Sequence, residues 1–319
     1  MDLRKRYKRT MTAVGGALLL WAAFFNLFQV ILNVLKNSLS ATLNAVTLEI
    51  VLLILYGASY LCAFMLPALF FRLFVGRNNA EDMRLQVELR GDSFAWIFGG
   101  IACCFAFSLL NGIFMNLFSV PETDGIIKEA FDFMPDYSII LQFIVLALVP
   151  AFCEEFLFRG VILSNLMPYG KGLAIIVSSV LFGLMHGNFY QFLYTTAAGL
   201  VLGYIYVLTD SIWCSVLMHL INNSLSVLQL AIYGRFADEM ATVVWMIVEG
   251  IVFILGLVSI VYLVLKHGKR RSPEKYGELG STRELAPGEM VKGALNPIII
   301  VFAVYSVAEA VARLIPESI

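Results

Sequence analysis

Residues 138–164 read SIILQFIVLALVPAFCEEFLFRGVILS, a run apolar and long enough to cross a membrane that nevertheless holds three charged side chains. About 20 mainly apolar residues span the hydrocarbon core of a bilayer. Glu154, Glu155 and Arg159 lie inside this run, although a charge at mid-membrane costs about 2.5–3.5 kcal/mol even on mild scales. Such residues usually face the interior of a helix bundle and mark a functional pathway. The run therefore predicts a buried helix that carries part of a site.

The whole chain has the composition of a membrane protein. Of its 319 residues, 60% are hydrophobic and 14% are charged, whereas a soluble domain carries about 25% charged residues. The five cysteines lie in apolar runs, so we interpret them as packing residues. The sequence predicts an all-α, polytopic transmembrane helix bundle of about eight spans, with a possible ninth apolar helix near the C-terminus. The predicted spans are 11–36, 46–75, 95–119, 138–164, 171–187, 189–208, 211–233 and 241–266, with 295–315 as the possible ninth.

The chain divides into three predicted parts. Residues 1–266 form a transmembrane bundle whose motif core is 138–233, and residues 267–294 form a basic cytoplasmic linker. Residues 295–319 add an apolar C-terminal helix, which either spans the membrane or lies on its surface because it contains charged residues. The acidic loop 120–137 is expected to be a connector, with a short interfacial helix over the site as the alternative.

Lysine and arginine are concentrated in three segments that alternating spans place on one side of the membrane. The N-terminus carries RKRYKR, the second loop is rich in arginine, and the tail after the eighth span begins KHGKRR. Because cytoplasmic loops carry an excess of these residues, we expect a cytoplasmic N-terminus. The first apolar run is longer than the core of a signal peptide, so no cleavable signal is predicted. The lack of organelle signals favours a bacterial plasma membrane.

Polar residues are concentrated on the central predicted spans. Glu155 and Arg159 are four residues apart, so they share a helix face and predict an ion pair. Glu154 points about 100° away from Glu155 and has no partner on its own helix. Taken singly, each of these residues is typical of a structural contact, but together they predict an active site or an ion-binding site. The full set is Glu154, Glu155, Arg159, Asn165, His186, Asn188, His219, Asn222 and Asn223.

Three short motifs resemble those of one protein family. EEFLFR at 154–159, FGLMH at 182–186 and HLINN at 219–223 match the EExxxR, FxxxH and HxxxN motifs of the CAAX-protease and bacteriocin-processing intramembrane endopeptidases. This group includes the type II CAAX prenyl endopeptidases. The motifs occur in the family's order, and the resemblance covers roughly residues 140–230.

The resemblance implies an eight-helix bundle with a polar cavity in the membrane and cleavage of a peptide bond near a membrane-embedded or lipid-modified segment. It implies that Glu154 and His186 activate the attacking water. Its implied oxyanion site is His219 and Asn223, and the implied structural support of the site is Glu155, Arg159 and Phe182. A buried carboxylate and a histidine suit general base chemistry, and hydrogen-bond donors suit the oxyanion.

Cofactor and partner expectations follow from the same residues. HExxH is absent, and Glu154, His186 and His219 come from three separate helices, so we expect no required metal. Zinc held by those three residues stays open as the alternative. The expected partners are a membrane-embedded or lipidated peptide or protein substrate and the lipid bilayer, with no nucleic acid. The sequence leaves the oligomeric state open.

Two other functions use the same buried residues. A proton- or cation-coupled transporter also needs intramembrane carboxylates and histidines, although no inverted repeat of broken helices is evident. A catalytically silent bacteriocin-immunity or scaffold protein could use the cavity to hold a peptide.

Overall fold

The computed structural model describes residues 3–75, 83–86, 91–120, 139–268 and 285–314, and every regular element in these ranges is a helix. The all-α polytopic class is therefore confirmed. The acidic loop predicted at 120–137 lies outside the described residues, except for its first residue. The described helices are α1 Leu3–Leu39, α2 Ala45–Val75, α3 Ser93–Leu117, α4 Ile139–Tyr169, α5 Lys171–Met185, α6 Phe189–Thr209, α7 Ile212–Tyr233, α8 Asp238–Gly268, α9 Pro287–Ala294 and α10 Pro297–Ala312.

Seven of these helices are long and apolar enough to cross a membrane within the part of the chain that the structure describes. They correspond to every predicted span except 171–187. The fifth predicted span is instead the 15-residue helix α5, which reaches only about 22 Å at 1.5 Å per residue. The chain turns at Gly187, where φ is 53°, and α6 begins at once. As a result, His186 lies where a short helix ends rather than inside a full span.

Helix α4 carries the two glutamates between two π-helical segments. Residues Phe143–Leu148 and Phe156–Leu163 are π-helical, and the α-helical segment Val149–Glu155 lies between them. Pro150 lacks an amide hydrogen and so removes one hydrogen bond from the turn before it. The backbone N–H of Val149 accordingly donates to the carbonyl oxygen of Ile144, five residues earlier. Such π segments occur frequently at functional sites.

Helices α5 and α6 approach each other closely because glycines line their contact. A Cβ atom on Gly199 would lie 3.1 Å from the backbone Cα of Ser179. On the α5 side, a Cβ on Gly183 would lie 3.0 Å from the carbonyl oxygen of Phe192. This packing fixes the end of α5, and His186 with it, against α6.

The C-terminal helices α9 and α10 pack against the rest of the bundle. The predicted linker 267–294 contains α9 in its last part, and the Tyr7 hydroxyl donates to the Met290 carbonyl oxygen over 2.7 Å. Helix α10 meets α9 at a bend of 61°. It then runs alongside α1, where Ile298 would meet a Cβ on Gly15 at 2.8 Å. Helix α10 therefore packs beside α1, and the choice between a span and a surface helix for 295–315 stays a prediction.

Candidate active site

Most of the predicted polar residues line one cavity of about 690 Å³. Helices α1, α2, α4, α5, α6, α7 and α10 all contribute to its wall. Asn165 lies away from it, since its side-chain amide donates to the carbonyl oxygen of Val161 over 2.8 Å. Glu155 and Arg159 lie behind the wall. The predicted residues that do line the cavity are Glu154, Phe182, His186, Asn188, His219, Asn222 and Asn223.

Glu155 is the centre of a buried polar network. Arg159 Nη1 donates to Glu155 Oε1 over 2.8 Å, and both side chains are almost fully buried, so the predicted ion pair is present. His219 Nδ1 contacts the same oxygen at 2.9 Å. Arg159 Nη2 also donates to the carbonyl oxygen of Gly199 over 3.1 Å. Glu155 therefore joins α4 to α7 through His219, a link that the sequence did not predict.

Glu154 faces the cavity and has one protein partner, which sequence reasoning missed. The Tyr60 hydroxyl donates to Glu154 Oε1 over 2.5 Å. The other oxygen, Oε2, is buried and makes no hydrogen bond with the described residues. His219 Nε2 lies 3.9 Å from Oε2. Tyr60 lies on α2, a helix that carries none of the predicted site residues.

The hydrogen bonds of the two histidines fix which ring nitrogens are available. His186 Nδ1 lies 2.8 Å from the carbonyl oxygen of Phe182. Since a carbonyl can only accept, Nδ1 carries the hydrogen, and Nε2 of the neutral ring is an acceptor. In His219, Nδ1 donates to Glu155, so Nε2 becomes a donor only when the ring is protonated.

Phe182 packs between the charged and aromatic groups of the site. Its ring centroid lies 4.9 Å from that of His186 and 6.0 Å from that of His219. The Arg159 guanidinium carbon lies 4.7 Å from the same centroid. One aromatic side chain thus contacts residues from all three motifs.

The two asparagines on α7 differ in their side-chain hydrogen bonding. The Tyr194 hydroxyl donates to Asn222 Oδ1 over 3.0 Å. Asn223, one turn after His219, makes no side-chain hydrogen bond with the described residues. The amide of Asn223 therefore faces the cavity beside His219 without a hydrogen-bond partner among the described residues.

Helix α10 adds polar residues that the sequence did not assign to the site. Tyr305, Glu309 and Arg313 all line the cavity. Arg313 Nη2 lies 3.6 Å from Glu309 Oε1, and Tyr305 accepts a 2.6 Å hydrogen bond from the Asn26 amide of α1. In the sequence, the charged residues Glu309 and Arg313 made the last apolar run an uncertain span, and nothing in it pointed to the site.

The described ranges hold no group of three or more His, Cys, Asp or Glu side chains arranged to hold a metal ion. The hydrogen bonds of His186 Nδ1 and His219 Nδ1 leave both Nε2 atoms open, and a carbonyl or carboxylate on the other ring nitrogen is also typical of a metal-bound histidine. Zinc at Glu154, His186 and His219 therefore stays the alternative to a metal-free site, and no step of the proposed chemistry is assigned to a metal.

Two comparisons with known proteins agree with the motifs. Residues 136–225, which contain all three motifs, match the Rce1-like family of type II CAAX prenyl endopeptidases. The chain is 31% identical over 115 residues to the protein of Bacillus subtilis (strain 168) named "Putative membrane peptidase YdiL". That match covers 35% of this chain and 46% of the relative, so the chain spans about half of the relative's length. No solved structure matches the chain. The motif-bearing part of this multi-pass membrane protein is thus similar to the CAAX-protease and bacteriocin-processing family.

Proposed function

We propose that the chain is an intramembrane endopeptidase in which Glu154 and His186 activate a water molecule for attack on a peptide bond. The observation that carries this proposal is the state of Glu154 Oε2, which is buried at the cavity wall without a protein hydrogen bond. An unsatisfied buried acceptor is costly. A water molecule bound there would satisfy the oxygen and lie beside the substrate space.

The residues divide the reaction between them. Glu154 Oε2 accepts a proton from the water while the water oxygen bonds to the carbonyl carbon, and His186 Nε2 accepts a hydrogen bond from the remaining O–H and orients the water. The carbonyl oxygen becomes an oxyanion that receives hydrogen bonds from protonated His219 and from the Asn223 amide. Glu154 then passes its proton to the amine nitrogen as the C–N bond breaks. Each oxyanion donor typically contributes about 2.7–4 kcal/mol.

Glu155, Arg159 and Phe182 act as positioning residues in this proposal. Glu155 holds His219 by its Nδ1 nitrogen, in the way that the aspartate of a Ser-His-Asp triad holds its histidine. Arg159 balances the charge of Glu155 and ties it to α6 through Gly199. From their spacing in the sequence, Glu155 and Arg159 were predicted to pair only with each other.

The packing of α4 favours a protease over a transporter. A coupled transporter needs a route from the buried acid to both faces of the membrane. Beyond Glu154, residues 157–167 of α4 are all buried, and none of them lines the cavity. Among the described residues, this half of α4 therefore offers no continuation of the cavity past Glu154. A silent scaffold would not need an unpaired carboxylate oxygen beside two histidines.

The size of the cavity supports a peptide-sized substrate. About 690 Å³ lies within the range of roughly 300–1,000 Å³ that takes a small ligand or a short peptide. We propose a membrane-embedded or lipidated peptide or protein, of which a few residues enter the site. A folded domain does not fit.

The test compares two glutamate-to-glutamine variants. Wild type, Glu154→Gln and Glu249→Gln are purified in detergent and assayed with a library of quenched fluorescent peptides. Glu249 lies on α8 and does not line the cavity, so its variant controls for the loss of a carboxylate. Glu154→Gln should lose at least about 100-fold in turnover, the scale of general base catalysis, with its unfolding midpoint unchanged. Wild-type turnover in Glu154→Gln would contradict the proposal.

A further inference from the structure

Helices α6 and α7 form one wall of the cavity, and two hydrogen bonds fix their register. The Ser215 hydroxyl of α7 donates to the carbonyl oxygen of Leu202 on α6 over 3.1 Å. The Tyr194 hydroxyl of α6 donates to Asn222 Oδ1 on α7 over 3.0 Å. The two bonds lie about two helical turns apart on each helix. Because the helices are tied at two levels, the side chains of this wall have fixed positions relative to His219.

The Asn222 amide is used only in part by this link. Its oxygen accepts from Tyr194, while Nδ2 makes no hydrogen bond with the described residues. Asn222 lines the cavity, and Nδ2 is not one of the described side-chain atoms that are buried without a partner, so the nitrogen is accessible from the cavity. Residues three apart share a helix face, which places this donor on the same side of α7 as His219. Asn222 occupies a variable position of the HxxxN motif, so the family resemblance gives it no role.

Gln191 adds a second amide to the same wall. It precedes Tyr194 by about one turn on α6 and lines the cavity. Its side-chain amide makes no hydrogen bond with the part of the chain that the structure describes. A glutamine amide offers both donor hydrogens and an acceptor oxygen. Two uncharged amides thus face the space next to the catalytic residues.

A peptide backbone is the ligand that matches this wall. Each non-proline residue of an extended chain carries one N–H donor and one carbonyl acceptor, and burying either without a partner is costly. A substrate segment that leaves water for the cavity therefore needs polar partners for the peptide units beside the scissile bond. His219 and Asn223 are proposed to bind the scissile carbonyl oxygen itself. Gln191 and Asn222 supply uncharged partners for the neighbouring peptide units.

We propose that Asn222 and Gln191 form a main-chain binding site for an extended substrate peptide. In this site, Asn222 Nδ2 donates to the carbonyl oxygen of a residue close to the scissile bond, and the Gln191 amide pairs with a second peptide unit. Tyr194 is a positioning residue, because its hydroxyl fixes which end of the Asn222 amide faces the peptide. The site recognises the backbone and not a particular side chain. The inference rests on the proposed function for the word substrate.

A purely structural role for Asn222 leads to a different expectation. As a link between α6 and α7, Asn222 needs only its oxygen, and its loss would lower the free energy of unfolding without changing how the protein responds to the substrate's carbonyl groups. As a substrate ligand, Asn222 needs Nδ2, and its loss weakens substrate binding even where the fold is preserved.

The first arm of the test removes the donor and preserves the fold. In the double variant Tyr194→Phe/Asn222→Leu, both partners of the link become apolar groups of similar shape, which is nearly neutral for stability. KM for the best-cleaved library peptide should rise about three- to tenfold, the scale of one neutral hydrogen bond, while kcat stays within about twofold. Ser215→Ala is the matched control, because it breaks the other hydrogen bond between α6 and α7 and Ser215 does not line the cavity. An unchanged KM in the double variant, or an equal rise in Ser215→Ala, would overturn the proposal.

The second arm locates the peptide groups that the two amides bind. In versions of the same peptide, each carbonyl oxygen near the scissile bond is replaced in turn by sulfur, which is a weak acceptor. With the wild type, one replacement outside the scissile bond should raise KM. The same replacement should cause no further rise in the double variant, because both changes remove one interaction. Gln191→Leu should abolish the effect of a replacement at a different position, and sulfur effects that are equal in all three proteins would contradict the main-chain site.

Peptide binding separates this inference from the proposed function. Glu154→Gln keeps the α6–α7 wall, and its Kd for the library peptides is measured by fluorescence anisotropy with and without the double variant. If the wild type cleaves no peptide, the proposed function fails, but a Kd that rises in the double variant would still support the main-chain site. Cleavage together with a Kd that the double variant leaves unchanged would overturn the main-chain site and leave the proposed function standing. Failure of every peptide to bind would overturn both.

Discussion

Replacing Tyr60 with phenylalanine removes the hydroxyl that donates to the proposed base and leaves the ring in place. The hydroxyl donates to Glu154 Oε1 over 2.5 Å, and the ring stacks on Phe64 at a centroid distance of 4.8 Å. Without this bond the carboxylate can rotate about its last torsion, and Oε2 no longer holds its direction toward the water. A hydrogen bond to a charged group contributes about 1.5–3 kcal/mol. If all of it orients the base, kcat falls about 10- to 150-fold, since each 1.36 kcal/mol is a factor of ten.

The assay is turnover of the best-cleaved library peptide by purified protein, with kcat and KM measured separately. KM should stay within about twofold, because the hydroxyl is bonded to Glu154 Oε1 and the ring that lines the cavity is kept. Tyr56→Phe is the matched control, since Tyr56 is one turn earlier on α2, lines the same cavity and makes no hydrogen bond to Glu154 in the structure. In a Glu154→Gln background, Tyr60→Phe should cause no further loss. Wild-type kcat in Tyr60→Phe, or an equal loss in Tyr56→Phe, would refute the reasoning.

Two further predictions concern the packing and the charges around the site. Gly183→Ala puts a Cβ 2.0 Å from Thr196 Oγ1 and should cost about 1–3 kcal/mol of stability by overpacking. Gly172→Ala, with nothing within 4 Å, should cost none, and equal unfolding midpoints in detergent would contradict this. At Asp92, burial raises the pKa, but the His267 hydrogen bond and the Lys266 charge outweigh it and lower the pKa below 3.8. Stability from a lowered carboxyl pKa is present above the unfolded value and lost as pH falls through the folded one. Asp92→Asn should therefore destabilise by about 1 kcal/mol or less at pH 7, and the difference should shrink as the pH falls below 3.8. A difference that grows in acid would contradict the ion pair.

The sequence predicted the helices and the first network around the glutamates well, for clear physical reasons. Apolar runs of about 20 residues have few alternatives to membrane helices, so most predicted spans agree with the structure. The four-residue spacing of Glu155 and Arg159 places them on one helix face. That pair is present at 2.8 Å. Both predictions depend on distances within one helix, which the sequence encodes directly.

The contacts between distant helices could not be predicted in the same way. Tyr60 lies in an apolar run where a tyrosine is equally typical of packing, and only the fold brings it to Glu154. The link from Glu155 to His219 joins residues 64 positions apart. Helix α5 was predicted to be a full span because the apolar run continues past Met185, and the turn at Gly187 shortens it. The part played by α10 in the cavity likewise depends on packing against α1.

The central claim is that two adjacent glutamates have different functions, and the most direct test measures turnover and the free energy of unfolding for Glu154→Gln and Glu155→Gln in the same detergent. Glu154→Gln should keep the wild-type stability and lose turnover, because its carboxylate is proposed as the base. Glu155→Gln should lose about 3–5 kcal/mol of stability, because it leaves the buried Arg159 charge without its partner. Equal stability losses in the two variants, or wild-type turnover in Glu154→Gln, would contradict the account.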